Sequence, residues 1–283
     1  MPASPPVSRV HKDRGWRLFV RTVVARAYPR IIGQNRERTW IFFEVTLPLV
    51  ALSAYALVYR AIRAPEAFVG FVIIGGAMSA FWLNVLWNMS NQLYWEKETG
   101  NLALYIMAPN SLMAILLGMA VGGMFSTTLR AAAIIAIGGW LFHVHYALVN
   151  VPMLLVVFLV ALAALYGLGM MFASLFLLLG REGWHFVNLA QEPVYLLSGT
   201  YFPIRNLNVW VAAGASLIPL TLALDAVRQL TFVSGATLGF LDVKVEAGVL
   251  VILSVVFLAG ARALLSYMER LAIADGRLTQ SRM

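Results

Sequence analysis

The sequence contains several runs of about 20 or more apolar residues that carry almost no charged side chains. An α-helix of that length crosses the ~30 Å hydrocarbon core of a membrane. Charged residues make up 12% of the 283 residues, which is half of the roughly 25% that is usual in soluble domains. These features predict an all-α polytopic membrane protein.

Six transmembrane spans are predicted from the apolar runs. Their approximate ranges are 39–60, 68–92, 112–140, 152–179, 184–200 and 245–267. The longest polar part is the N-terminal segment 1–38, which is too short for a separate catalytic domain. Cysteine is absent, and this excludes a disulfide framework or a thiolate metal site.

The distribution of basic residues predicts the orientation, because basic residues are retained on the cytoplasmic side of a membrane. Nine of them precede the first span: Arg9, Lys12, Arg14, Arg17, Arg21, Arg26, Arg30, Arg36 and Arg38. Six spans then place the C-terminal arginines on the same side. We therefore expect both termini in the cytoplasm and the chain in the cytoplasmic (inner) membrane.

Residues 14–32 are predicted to form an interfacial helix, which lies in the headgroup layer. Its apolar face is Trp16, Val20, Val23, Ala27 and Ile31, and its basic face is Arg14, Arg17 and Arg21. Pro29 is expected to end or kink the helix. A basic tail that serves only to set the topology is the alternative.

The loop between the second and third spans combines charge with a short apolar face. Thr99 or Asn101 can cap a short helix whose apolar face is Leu102, Tyr105 and Ile106, and Pro109 would stop it. A capped helix with one apolar face suits docking into a partner's groove. The alternative is an ordinary interfacial turn.

Polar residues recur inside the second and fifth spans, where each is costly unless it faces protein or water. Asn84, Asn88 and Asn91 have i, i+4, i+7 spacing, and Trp87 lies on their flank. The fifth span carries Asn188, Gln191, Glu192 and Tyr195. These stripes either line a polar path or form hydrogen bonds between helices. Glu44 in the first span is a further candidate, and it can pair with Arg130 across helices.

The sequence disfavours an enzyme. A Walker A loop needs a lysine followed by serine or threonine, whereas Lys12, Lys97 and Lys244 are followed by Asp, Glu and Val. His143 and His145 lack a nearby carboxylate or cysteine and are expected to be solvated. The basic charge follows the membrane topology, so lipid explains it better than nucleic acid does.

Two segments resemble the permeases of type-2 ATP-binding-cassette (ABC-2) exporters. "EKETGNLALYIMAPNSLMAILLG" (96–118) is similar to the segment that follows their second span. "LSGTYFPIRNLNVWVAAGASLIPLTLALDAVRQL" (197–230) is similar to their "SGxxFPxxxLPxW…PLTxxxDxxR" segment, with Asn208 in place of the usual proline. The two motifs occur in the family's order, and six spans with cytoplasmic termini also agree.

The resemblance implies an exporter subunit that pairs as a homodimer and binds two cytoplasmic ATPase subunits. It implies no cofactor in this chain, because ATP and magnesium would lie on the partner. Residues 14–32 would be a connecting helix, 39–283 the transmembrane domain, and 203–244 the extracellular re-entrant region. The coupling helix would be 96–108, with contacts from Glu96, Glu98, Gly100, Leu102, Tyr105 and Ile106.

The resemblance also implies a substrate path between spans two and five. Its residues would be Asn84, Trp87, Asn88, Asn91, Asn188, Gln191, Glu192 and Tyr195. The expected cargo is an amphipathic, lipid-linked, glycan or drug-like molecule that moves outward. Two alternatives stay open: a secondary transporter driven by an ion gradient through Glu44 or Glu192, and a membrane scaffold that transports nothing. Repeated halves, which are common in secondary transporters, are not evident.

Overall fold

The computed structural model describes residues 15–108, 111–233 and 235–275. Within these ranges the chain forms α-helices joined by short connections, and no strand occurs there. The helices are α1 Trp16–Arg36, α2 Arg38–Ala61, α3 Glu66–Leu83, α4 Gln92–Glu98, α5 Asn101–Met107, α6 Leu112–Phe142, α7 Val151–Leu179, α8 Gly183–Leu197, α9 Val209–Ala215, α10 Pro219–Thr231, α11 Gly235–Leu238 and α12 Val243–Asp275. A π-helix, Asn84–Met89, joins α3 to α4, and 3₁₀ turns cover Gly180–Glu182 and Ile204–Asn206.

Five helical segments of the described chain are long and apolar enough to cross a membrane. They are Ile41–Ala61, Ala67–Glu98, Leu112–Phe142, Val151–Leu177 and Val243–Met268. Each coincides with a predicted span, with differences of a few residues at the ends. The prediction of an all-helical polytopic membrane protein is confirmed.

The helix found at the predicted fifth span, 184–200, is shorter than the prediction. This helix, α8, has 15 residues and is therefore about 22 Å long, less than the ~30 Å hydrocarbon core. The chain turns at Gly199, whose φ of 69° is left-handed. Beyond it, α9 and α10 are bent by 106° relative to each other, and together they are apolar enough to count as a sixth crossing.

The core lies between α3, α6, α7, α10 and α12. All 13 residues of α10 are buried, including several polar ones. Arg228 donates to the backbone carbonyls of Gly199 (2.7 Å), Thr200 (2.7 Å) and Phe71 (2.8 Å). Because a buried guanidinium must place its N–H donors on acceptors, Arg228 holds α10 against α3 and the turn after α8.

Helix α1 packs lengthwise along α6, where two glycines allow a close approach. A Cβ added at Gly118 would lie 2.5 Å from the Val23 carbonyl oxygen, and one at Gly122 would lie 2.9 Å from Arg30 Cβ. Small residues commonly permit such helix contacts in membrane proteins. The first half of α6 therefore serves as the docking surface for α1.

One expectation for α1 was wrong, because Pro29 does not end the helix. The helix continues to Arg36, since the turns on both sides of the proline pack against α6 and offset the lost hydrogen bond. The predicted apolar face divides: Ala27 is buried against α6, whereas Trp16 is 75% exposed and Val20 is 38% exposed. Arg14, assigned to the basic face, lies outside the described residues.

Candidate functional site

A cavity of about 770 Å³ lies among α2, α3, the π-helix, α6, α8 and the turn after α8. Its apolar wall comes mainly from α2 and α3, and polar and aromatic side chains complete it. The polar lining residues are Glu44, Ser79, Asn84, Asn88, Thr127, Arg130, Gln191 and Thr200. The aromatic ones are Phe43, Trp87, Tyr195 and Tyr201.

The two predicted polar stripes meet at this cavity. Trp87 Nε1 donates to Gln191 Oε1 at 2.8 Å, which joins the π-helix to α8. Asn84 and Asn88 line the same cavity from the π-helix, and Tyr195 lines it from α8. The structure therefore brings five of the eight predicted path residues to one surface.

The other three predicted path residues lie away from the lining. Asn91 is buried, and its amide donates to the carbonyl oxygens of Trp87 (3.2 Å) and Leu86 (3.5 Å). Asn188 and Glu192 are exposed on α8. The expectation that Asn84, Asn88 and Asn91 share one face was wrong, because the wider turn of the π-helix changes the register after Met89.

Glu44 and Arg130 form an ion pair at the cavity wall, as the sequence suggested. Arg130 also donates from Nη2 to the Gln34 carbonyl oxygen of α1, at 3.2 Å. The Glu44 side chain is 26% exposed and the Arg130 side chain is 7% exposed. The acid is thus the more accessible member of the pair.

Sequence reasoning did not include several lining residues that lie far apart in the chain. Thr127, on α6, is a polar residue within an apolar span, and that signal was available. Thr200 and Tyr201 belong to the quoted "SGTYFP" motif. Tyr201 stacks on Tyr55 with ring centroids 4.1 Å apart, a contact that no spacing rule predicts.

A second polar cluster joins α1, α4 and α5 around the carboxylate of Glu96. Four side chains donate to it: Arg26 (3.0 Å), Gln92 (3.1 Å), Asn101 (3.0 Å) and Tyr105 (3.0 Å). Glu96 is 9% exposed, so these bonds satisfy a carboxylate that has little access to water. We call this group the Glu96 hub.

Two contacts reinforce the Glu96 hub. Arg30 donates to Gln92, and burial lowers the pKa of Arg30 from its ordinary value. The Arg26 guanidinium lies 4.7 Å from the centroid of the Tyr105 ring. Burial raises the pKa of Tyr105. Its phenol therefore stays protonated and can donate a hydrogen bond to Glu96.

The start of α5 differs from the expectation. Gly100, with a left-handed φ of 77°, precedes the helix, and no side chain caps it. Thr99 instead donates to the Trp95 carbonyl oxygen of α4 (2.9 Å), and Asn101 donates to Glu96. Both polar side chains are therefore used by α4 and the Glu96 hub. Helix α5 ends at Met107, and Pro109 lies outside the described residues.

The apolar face predicted for α5 packs on the protein itself. Leu102 is 1% exposed, and Tyr105 and Ile106 pack against the main core. Leu104 (60% exposed) and Met107 (75% exposed) point outward instead. Glu98 and Gly100 are also exposed. The free surface of this region therefore lies on the opposite face of α5 from the one predicted.

Both sites fall within a segment that matches a known family. A model of the family described as ABC-2 type transporter matches residues 20–232. The chain belongs to the ABC-2 type transporter family. The resemblance found in the two sequence motifs is thereby confirmed, and the match includes the cavity and the Glu96 hub.

Two proteins from Escherichia coli are similar to part of this ABC-2 chain. The chain is 25% identical over 135 residues to the probable multidrug ABC transporter permease YbhR of strain K12. The same values apply to the protein of that name from strain O157:H7. The aligned region is 48% of this chain and 36% of each relative, so the match spans about a third of the relatives' length.

Proposed function

We propose that the chain is the transmembrane permease subunit of an ATP-driven exporter, which moves an amphipathic, lipid-linked, glycan or drug-like molecule outward. The observation that carries this proposal is the cavity of about 770 Å³, built from membrane helices of an ABC-2 type chain. Such a volume is in the range of small-molecule sites. Membership of this family implies a separate ATPase subunit as partner.

The proposed orientation has both termini in the cytoplasm. The nine basic residues before the first span support it. The α1, α4 and α5 region then lies on the cytoplasmic side, and α9 and α10 form a re-entrant pair on the outer side. The 106° bend between α9 and α10 suits a segment that enters and leaves on one side.

In this proposal the cargo contacts Asn84, Trp87, Asn88, Gln191 and Tyr195, which line one cavity. Asn91 supports the end of the π-helix instead. Glu192 is exposed on α8, and a charged side chain is costly against lipid. We assign the face of α8 that carries Glu192 and Asn188 to a surface that a second copy of the chain covers, so that the permease is a homodimer.

The ATPase would contact the outward face of α5, where Leu104 and Met107 are exposed. Movement of α5 would reach α1 through the Glu96 hub, because Arg26 and Tyr105 bind the same carboxylate. Helix α1 contacts α6 and the Glu44–Arg130 pair through Gln34. This continuous set of contacts gives a physical route from the ATPase to the cavity.

A feature of the sequence and one of the cavity argue against the alternatives. Secondary transporters commonly show repeated halves, and such repeats are not evident in this sequence. A scaffold without transport has no use for a polar and aromatic cavity between its spans. The exporter proposal accounts for both features.

We expect Leu104→Glu to lower recovery of the ATPase about tenfold or more, because a charge replaces an apolar contact at the interface. The measurement is co-purification, from native membranes, of the ATPase that accompanies the tagged wild-type chain. Leu217→Glu is the matched control. Leu217 is 67% exposed and follows α9, which lies on the outer side of the membrane in the proposed orientation. Equal ATPase recovery with Leu104→Glu and with the control would contradict the proposed contact.

A further inference from the structure

The cavity has an ionic end and, along α2 and α3, an apolar wall that we call the shaft, formed by Leu47, Pro48, Ala51, Leu52, Ala80 and Leu83. Among the described lining residues, Glu44 and Arg130 are the ones that carry charge. Away from this pair the lining includes Leu52 and Gly76, which lie against each other, and Tyr201, together with the hydroxyl groups of Ser79 and Thr200. Glu44 and Leu52 are separated by eight residues of α2 and so by about 12 Å along the helix.

The ionic end of the cavity lies near one end of the apolar span of α2. Glu44 lies one turn, about 5 Å, inside the start of the Ile41–Ala61 span. Its partner Arg130 contacts α1 through Gln34. An amphiphile that enters from this end of the span can therefore place its polar group beside Glu44 and its apolar part further along α2.

The more exposed member of the ion pair is the acid. The Glu44 side chain is 26% exposed, whereas the Arg130 side chain is 7% exposed and its guanidinium is already bonded to Glu44 and to the Gln34 carbonyl. A cationic group of a ligand can therefore reach the Glu44 side chain more readily than an anionic group can reach Arg130.

Aromatic side chains around the cavity favour the same ligand. Trp87, Tyr195 and Tyr201 line it together with Phe43. The faces of aromatic rings attract ammonium groups and also pack against apolar chains. Asn88 and Gln191 add hydrogen-bonding groups beside them.

We propose that the cavity binds amphiphilic amines, with the ammonium at Glu44 and the apolar body along the shaft. This inference rests on the proposed function, since it names the substrate class of the same cavity. Glu44 is then the specificity-determining residue. Arg130 balances the charge of Glu44 in the empty cavity and competes with the ammonium for its carboxylate.

The test uses the purified permease alone in nanodiscs of zwitterionic lipid. The probe is tritiated dodecylamine at pH 7, and the competitors are unlabelled dodecylamine, dodecanol and dodecyl sulfate. Empty nanodiscs give the correction for partition into lipid. We expect saturable binding, with the amine about tenfold tighter than the alcohol or the sulfate, as one charge-assisted hydrogen bond allows.

Glu44→Gln should bring the amine and the alcohol to within about twofold of each other. Glu37→Gln is the matched control, because Glu37 precedes α2 and lies outside the cavity lining, and it should keep the preference. Arg130→Gln removes the competing cation and should raise amine affinity several-fold.

The double variant Glu44→Gln/Arg130→Gln guards against misfolding, since it leaves no unpaired buried ion. It should fold, as shown by size-exclusion elution, and should lose the amine preference. The inference fails if the single Glu44→Gln variant or the double variant keeps the preference, if dodecyl sulfate binds best, or if no probe saturates. ATPase recovery with Leu104→Glu is measured in a separate experiment. Failure of the exporter proposal can therefore be distinguished from failure of the amine-binding inference.

Discussion

At the scale of single residues, Glu96 accepts hydrogen bonds from three separate elements. A carboxylate with so little exposure is stable only when charged or polar donors surround it. Arg26 of α1, Gln92 of α4 and Tyr105 of α5 supply three of them. Loss of the carboxylate therefore leaves several buried donors without an acceptor at once.

We expect Glu96→Ala to lower the free energy of unfolding by roughly 2–3 kcal/mol, as lost bonds to a charged group do. It should also weaken ATPase recovery, because α5 loses its tie to α1. Unfolding by titration with SDS measures the first effect, and co-purification measures the second. Glu98→Ala is the control on the exposed face of the same helix, and it should leave the free energy of unfolding unchanged. Equal stability of the two variants would refute a central role for Glu96.

How well the sequence predicts single residues depends on whether their partners are local. Polar residues in apolar spans were recognisable, and the suggested pairing of Glu44 with Arg130 is confirmed. The caps proposed at Thr99 and Asn101 were wrong, because each side chain hydrogen-bonds within α4 and the Glu96 hub instead. Propensity identifies a residue that can cap, but tertiary contacts decide which acceptor it uses.

At the scale of elements, the long apolar helices were the most predictable part of the fold. Their hydrophobic length sets them without reference to neighbours. The π-helix Asn84–Met89 was not predictable, since its register depends on packing: Gly169 of α7 lies against it, with Met89 Cγ 3.0 Å from an added Cβ. That change of register is what moves Asn91 off the cavity wall. For α5 the apolar face was recognised, but the surface that covers it was not.

The contact of α1 with α6 gives a prediction at this scale. We expect Gly118→Ala to lower the free energy of unfolding by about 1–3 kcal/mol, as overpacking does, because its Cβ would lie 2.5 Å from the Val23 carbonyl oxygen. Gly33→Ala is the matched control in α1, where an added Cβ meets no atom within 4 Å. It should be neutral or stabilising by up to about 1 kcal/mol, because alanine favours helix. Titration with SDS measures both, and equal destabilisation would show that α1 does not depend on this close approach.

At the scale of the whole molecule, the exposed faces of the helices differ in what can cover them. In α12 only 17% of the most apolar window is buried, and its outward residues, such as Val255 and Ile252, suit contact with lipid. Helix α8 exposes Asn188 and Glu192 beside Leu189. Lipid cannot solvate the charge of Glu192, and a second copy or the water of a shared path can.

The homodimer proposal therefore predicts that cysteines on α8 form disulfides between copies, whereas cysteines on α12 do not. The chain contains no cysteine, so any disulfide between copies of a single-cysteine variant forms at the introduced residue. Near a two-fold axis a residue meets its own copy, and a disulfide needs Cα atoms within about 7 Å. We expect at least one of Phe186→Cys, Leu189→Cys and Leu196→Cys to give a dimer band on non-reducing gels of oxidised membranes. Ile252→Cys and Val255→Cys are the exposed controls on α12, and they should stay monomeric. A dimer band from the α12 variants alone would place the interface on α12 and would contradict the proposed contact of Glu192 with a second copy.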